Sequence, residues 1–134
     1  MTLDEWKAWY EKHAGAAVQD NPNFQRIFFP DRGFCELTLS SKERMVIVNQ
    51  VAGDGRFWLG VIESVAQILG YHRCGAICTR RIRPYLRLWG LAVDRTQEAP
   101  DGTVYHCHQK TTGQKVDAFP QPGEPKDYYI LWEV

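Results

Sequence analysis

Near the middle of the chain an almost wholly apolar run, Met45-Val46-Ile47-Val48-Asn49-Gln50-Val51, meets the glycine turn Ala52-Gly53-Asp54-Gly55. A helical pattern starts at once: Phe57, Val61, Ile62, Val65 and Leu69 recur at helical spacing until Gly70 stops it. His72 to Thr79 then reads as a second buried strand, rich in small residues. Strands apolar on both faces belong inside a sheet. Two of them joined through a helix make a βαβ unit, which sterics make right-handed. The fold class that follows is α/β, a mixed sheet with helices packed on it.

The same junction has a chemical consequence. The first amides of a helix lack intrahelical partners, and the dipole there is positive, so an anionic phosphate can be held. Glycine lets the backbone approach such a ligand closely. From the residues alone the turn is an anion site in outline, and the alternative is a turn with a purely structural role.

The flanking segments supply the rest of one domain. Thr2-Leu3-Asp4-Glu5 is a capping box, and Trp6, Trp9, Tyr10 and His13 follow at helical spacing up to Gly15. This aromatic face is expected to pack as core. Ala16 to Arg32 is interrupted by Pro22 and Pro30, and a turn or two of helix is expected there. Gly33 to Ser40 alternates as a half-buried strand does. Pro84 opens a short helix through Trp89 with Gly90 as its stop. Leu91 to Thr96 and Thr103 to Lys110 form a hairpin around Ala99-Pro100-Asp101-Gly102. Thr111 to Lys126 reads as a loop, and Asp127 to Val134 as a final strand. At 134 residues, 44% of them hydrophobic, residues 1–134 make a single domain.

Several function classes fall away on composition. Sixteen basic residues balance sixteen acidic ones, so nothing draws the chain as a whole to nucleic acid or to an anionic membrane. No apolar run approaches the roughly 20 residues that span a bilayer. Met1 to Lys12 is polar and charged, unlike a signal peptide, and the four scattered cysteines are expected reduced, in the cytoplasm. Arg80, Arg81, Arg83 and Arg87, with Tyr85 and Trp89 among them, offer RNA or a phosphate a contact, against the plainer reading of a solvated helix face. His106-Cys107-His108 puts two imidazoles on one face of a strand, but the spacing matches no zinc template and no metal is expected. Cys74 with His72 lies in a buried strand, which makes it core rather than a nucleophile.

The segment Gln50-Val51-Ala52-Gly53-Asp54-Gly55 resembles the Gln/Arg-x-x-Gly-x-Gly/Ala motif of the GNAT family of acyl-CoA-dependent N-acyltransferases. The family's helix-ending glycine falls on Gly70, and its Tyr-x-x-x-Gly-Phe signature falls on Leu86-Arg87-Leu88-Trp89-Gly90-Leu91, which keeps Gly90. The resemblance covers roughly Met45 to Thr96, and the N-terminal third looks abbreviated for the family. It implies a GNAT-like acyl-CoA N-acyltransferase fold in which strands Met45 to Val51 and His72 to Cys78 splay to admit pantetheine. Acetyl-CoA is the cofactor it implies, with Gln50, Val51, Gly53, Gly55 and Arg56 around the pyrophosphate. Within that resemblance Glu36, on the neighbouring strand, is the candidate base, and Tyr85, one residue from the family's tyrosine position, the distant candidate acid; the acetyl acceptor is an amine on a small molecule or a protein. The sequence departs from the family at Leu86, where the tyrosine usually stands, and at Thr79, where asparagine is frequent. It also has Asn49 without a carboxylate at the end of the strand, and Asp54 inside the loop. Asp54 opposes phosphate by charge and is itself a good helix cap. These departures imply the alternative of a GNAT-fold protein without catalysis, binding a protein partner or serving as structure, as in small phage-encoded members carried in the virion.

Overall fold

The computed structural model describes residues 1–78, 82–121 and 124–134, without the side chains of residues 84, 85, 88 and 124–126. Thr79, Arg80 and Arg81 therefore lie outside the described residues. The chain is a mixed α+β protein and divides into two compact units, Met1–His72 and Arg73–Val134.

The first unit runs α1 (Leu3–Ala14), β1 (Gln25–Phe29), β2 (Gly33–Ser40), β3 (Met45–Gly53) and α2 (Gly55–Leu69). Helix α1 begins on the expected capping box: the Glu5 amide donates to Thr2 Oγ1 at 3.2 Å, and the Thr2 amide donates to Glu5 Oε1 at 3.0 Å. Its aromatic face does not become core, because no residue of α1 is fully buried. Trp6 Nε1 donates to the Pro30 carbonyl at 2.9 Å and Tyr10 leans on Phe34, while Trp9 stays exposed and stacks on His13.

Between Pro22 and Pro30 the chain forms strand β1 instead of helix. The prolines bracket the strand without interrupting it, and antiparallel pairing with β2 supplies the backbone partners that the irregular sequence does not advertise. The sheet order here is β1-β2-β3, antiparallel throughout. Phe28 pairs with Phe34 and Phe29 with Gly33, so Phe29 and Phe34 point to opposite faces. Tyr10 of α1 meets Phe34, whereas Trp58 of α2 meets Phe29, which places the two helices on opposite faces of this sheet. Helix α2 buries Trp58, Ile62 and Ala66 at helical spacing and ends on Gly70 in the left-handed conformation at φ 72°.

The second unit contains β4 (Arg73–Cys78), α3 (Ile82–Leu88), β5 (Leu91–Ala99), β6 (Gly102–Gln109), β7 (Lys115–Gln121) and β8 (Glu124–Glu133). Its sheet order is β4-β8-β7-β6-β5, and all pairs are antiparallel. The expected β5–β6 hairpin is present. The expected loop from Thr111 to Lys126 instead holds β7, whose Val116, Ala118 and Pro120 alternate inward. Pro120 conceals that alternation in the sequence, yet it sits beside a register shift near the strand's end, where proline is tolerated. Cys74, Cys107, Ile130 and Trp132 are buried, and Trp89 packs edge-on against Trp132. All four cysteines are buried, and none forms a disulfide.

Candidate functional site

The glycine turn sits where the sequence places it, at the end of β3 and the start of α2, but Gly53 and Asp54 are already engaged within the fold. Gly53 has φ 104° and faces Gly33, φ 105°, across the β2–β3 ladder. A Cβ on Gly53 would lie 2.1 Å from the Arg32 carbonyl oxygen, and one on Gly33 would lie 1.9 Å from that of Ala52. Two backbones approaching this closely require glycine on both sides. The need for Gly53 is thus met within the fold, without a ligand. Gly55 is different: nothing lies within 4 Å of a Cβ there. Gly33→Ala and Gly53→Ala are each expected to lower stability by more than about 2 kcal/mol, and Gly55→Ala to stay within about 0.5 kcal/mol of the parent. Urea denaturation of the three variants checks this, and an equal loss for all three would contradict it.

Asp54 occupies the helix N-terminus from within. It is the N-cap of α2: Oδ1 accepts from the Phe57 amide at 3.2 Å, and Oδ2 accepts from Arg32 Nη1 at 2.6 Å. The Phe57 amide, followed by the Arg32 guanidinium, holds its carboxyl below the usual aspartate range. Arg32 completes a clasp between the β1–β2 turn and α2. Its guanidinium lies 4.9 Å from the centre of the Phe57 ring, and its carbonyl accepts from Trp58 Nε1 at 2.8 Å and from the Asp54 amide at 3.0 Å. Of the residues expected around a pyrophosphate, Arg56 is exposed on the first turn of α2, and Val51 is half-buried opposite Cys35.

Gln50 and Glu36 are brought together, as cross-strand partners on the α1 side of the sheet. Gln50 Nε2 donates to Glu36 Oε2 and to the Gln19 carbonyl, both at 2.9 Å, and its Oε1 accepts from the Gln19 amide at 2.9 Å. This side chain fastens the segment before β1 to the sheet, facing away from the helix that Asp54 caps. Glu36, 1% exposed, accepts from Arg26 Nε at 2.8 Å, and Arg26 Nη2 also reaches Asp20 at 2.9 Å. An extra residue in β3, Asn49, interrupts the ladder directly beside the Glu36–Gln50 pair, and its amide donates to Thr38 Oγ1 at 2.7 Å. Asp20, Asn21, Pro22, Phe24, Arg26 and Glu36 line a cleft of about 380 Å³. Within it the carboxylate expected as a base is tied by three hydrogen-bonding atoms of Arg26 and Gln50. The Tyr10 hydroxyl is pushed up by burial and then by the Glu36 charge, so it stays protonated.

The remaining expectations separate. Tyr85 falls in α3, and its side chain lies outside the described residues. Arg83 and Arg87 of the basic run are exposed. Cys35 is pushed up to about 12 by burial and by Glu36, and Cys107 to about 11 by burial and then by Asp94 and Asp117, so neither is a thiolate at neutral pH. Among the described residues no group of three or more His, Cys, Asp and Glu is arranged to hold a metal. Arg26 and Arg32 were not singled out in the sequence. For Arg26 the missing signal was the strand itself, since alternation along β1 would have paired it with Glu36. Arg32 carries no local signal, because its partners lie on another element. No family model, curated protein or solved structure matches the chain.

Proposed function

We propose that this chain is a GNAT-like domain serving as a binding or structural protein for a protein partner, rather than as an acetyl-CoA-dependent N-acyltransferase. The observation that carries this reading is the Asp54 carboxylate, which takes up the helix amide and the Arg32 guanidinium at the place where a pyrophosphate would lie. A carboxylate there repels phosphate and competes for its donors. The engagement of Gln50 with Gln19 and of Glu36 with Arg26 supports the same reading, since neither is free to meet a cofactor or an amine.

A thermal-shift titration with acetyl-CoA tests it, because a ligand that binds only the folded state raises its melting temperature. No saturable shift is expected for the wild type. Asp54→Asn keeps a capping oxygen and removes the charge, so any residual affinity should rise several-fold. Asp54→Ala loses the cap and should melt lower than either. The pH dependence has a fixed sign: a carboxyl held below its ordinary value stabilises fully above the usual midpoint of about 3.9 and loses that contribution as pH falls through the folded value. Asp54→Asn should therefore show a shallower acid limb. A tight, saturable shift in the wild type, unaffected by Asp54→Asn, would return the chain to the acyltransferase reading.

A further inference from the structure

In the second unit, strands β5, β6 and β7 bring a set of polar side chains together on one face. His106 pairs with Arg95 on one side and Asp117 on the other, and His108 pairs with Lys115, so these side chains project together. Asp94 is an extra residue inserted into β5 next to Arg95, and this bulge brings its carboxylate to His108, with Oδ1 2.7 Å from Nδ1. Asp117 Oδ1 lies 2.9 Å from His106 Nδ1 in a more sheltered pair, the two side chains 14% and 18% exposed. Together they line a cavity of about 370 Å³.

The charges are unevenly committed. Each carboxylate is engaged by an imidazole. Lys115 Nζ comes no nearer than 4.0 Å to Asp117 Oδ2, and Arg95 has no ion-pair partner among the described residues. Nδ1 of His108 is taken by Asp94, which leaves Nε2 as the ring atom for a ligand; among the described residues Nε2 of His106 meets only Gln97 Oε1, at 3.4 Å. Arg95, Lys115 and His108 thus bring a guanidinium fork, an ammonium and an imidazole ring nitrogen around one cavity, a set suited to a tetrahedral anion. A divalent cation would meet the charges of Arg95 and Lys115 here and would have to compete with the imidazoles for Asp94 and Asp117.

The geometry points to a binding site for a phosphate-type oxyanion, held by Arg95, Lys115 and His108, with Asp94, His106 and Asp117 as positioning residues. It stands apart from the GNAT-like reading and uses none of that reading's residues.

The test uses the full chain in a buffer without phosphate at about pH 6, where an ordinary imidazole is mostly protonated. Inorganic phosphate is titrated while the histidine ring signals are followed by NMR, with sodium chloride at matched ionic strength as control. The signals of His106 and His108 should move saturably while those of His13 and His72 stay still. Arg95→Ala and Lys115→Ala should each raise Kd about fivefold. Both side chains are exposed, so the variants keep their fold, which their remaining spectra verify. A phosphoserine peptide in a second titration identifies the source: tighter binding than free phosphate assigns the site to a phosphoryl group on a chain, and equal or weaker binding assigns it to a free anion. Movement that chloride reproduces, or that both substitutions leave unchanged, overturns the proposal. So does a zinc titration that moves both histidines where phosphate moves neither.

Discussion

Arg26→Met should destabilise the protein by about 4 kcal/mol, because it strands the Glu36 carboxylate, 1% exposed, without its cation. Glu36→Leu should cost somewhat less. Arg26 is 30% exposed and keeps Asp20, so part of its charge is answered by solvent and by that second carboxylate. The informative variant is the double one. Removing both partners of a buried ion pair removes the stranded charge, so Arg26→Met with Glu36→Leu should lose clearly less than the sum of the single changes. Urea denaturation of the four proteins measures the coupling, and simple additivity would show that the pair is not an energetic unit. The position matters for function as well as stability. A carboxylate held by Arg26 and Gln50 is poorly placed to accept a proton from an amine, which supports the non-catalytic reading proposed above.

A second large effect is expected at Trp58. The side chain is fully buried, and truncation to alanine empties a large volume that the rigid sheet beneath α2 cannot refill; the loss should be about 4 kcal/mol. Trp58→Phe separates packing from hydrogen bonding. It keeps most of the ring volume and removes the Nε1–H that donates to the Arg32 carbonyl, which still accepts from the Asp54 amide. That variant should lose about 1.5 kcal/mol. Amide hydrogen exchange at Phe57 reports on the cap directly: faster exchange in Trp58→Ala than in Trp58→Phe is expected if the indole holds the Arg32–Asp54 clasp in place. Equal protection in both would detach the clasp from the core.

Features set by local contacts are legible in the sequence. The Thr2–Glu5 capping box, the stop at Gly15, the α2 helix with its stop at Gly70, and the β5–β6 hairpin all rest on contacts within a few residues, where propensity and capping act. Asp54 belongs to the same class. Its role as a cap was legible because an aspartate ahead of a helical pattern needs only its own next turn to act.

Strands β1 and β7 were not legible, because prolines mask them and their backbone partners are supplied by neighbours distant in sequence. The site was decided the same way. The sequence by itself determined a glycine turn between a strand and a helix, with its conformational freedom and its positive helix end. Only the tertiary structure decided that Gly53 answers Gly33 across a ladder, that Gln50 turns to Gln19, and that Arg32 and Arg26 arrive to neutralise Asp54 and Glu36. A motif specifies which groups are present, whereas the partner that satisfies each one depends on which strands lie side by side, and charge seeks its nearest counter-charge in space rather than in sequence.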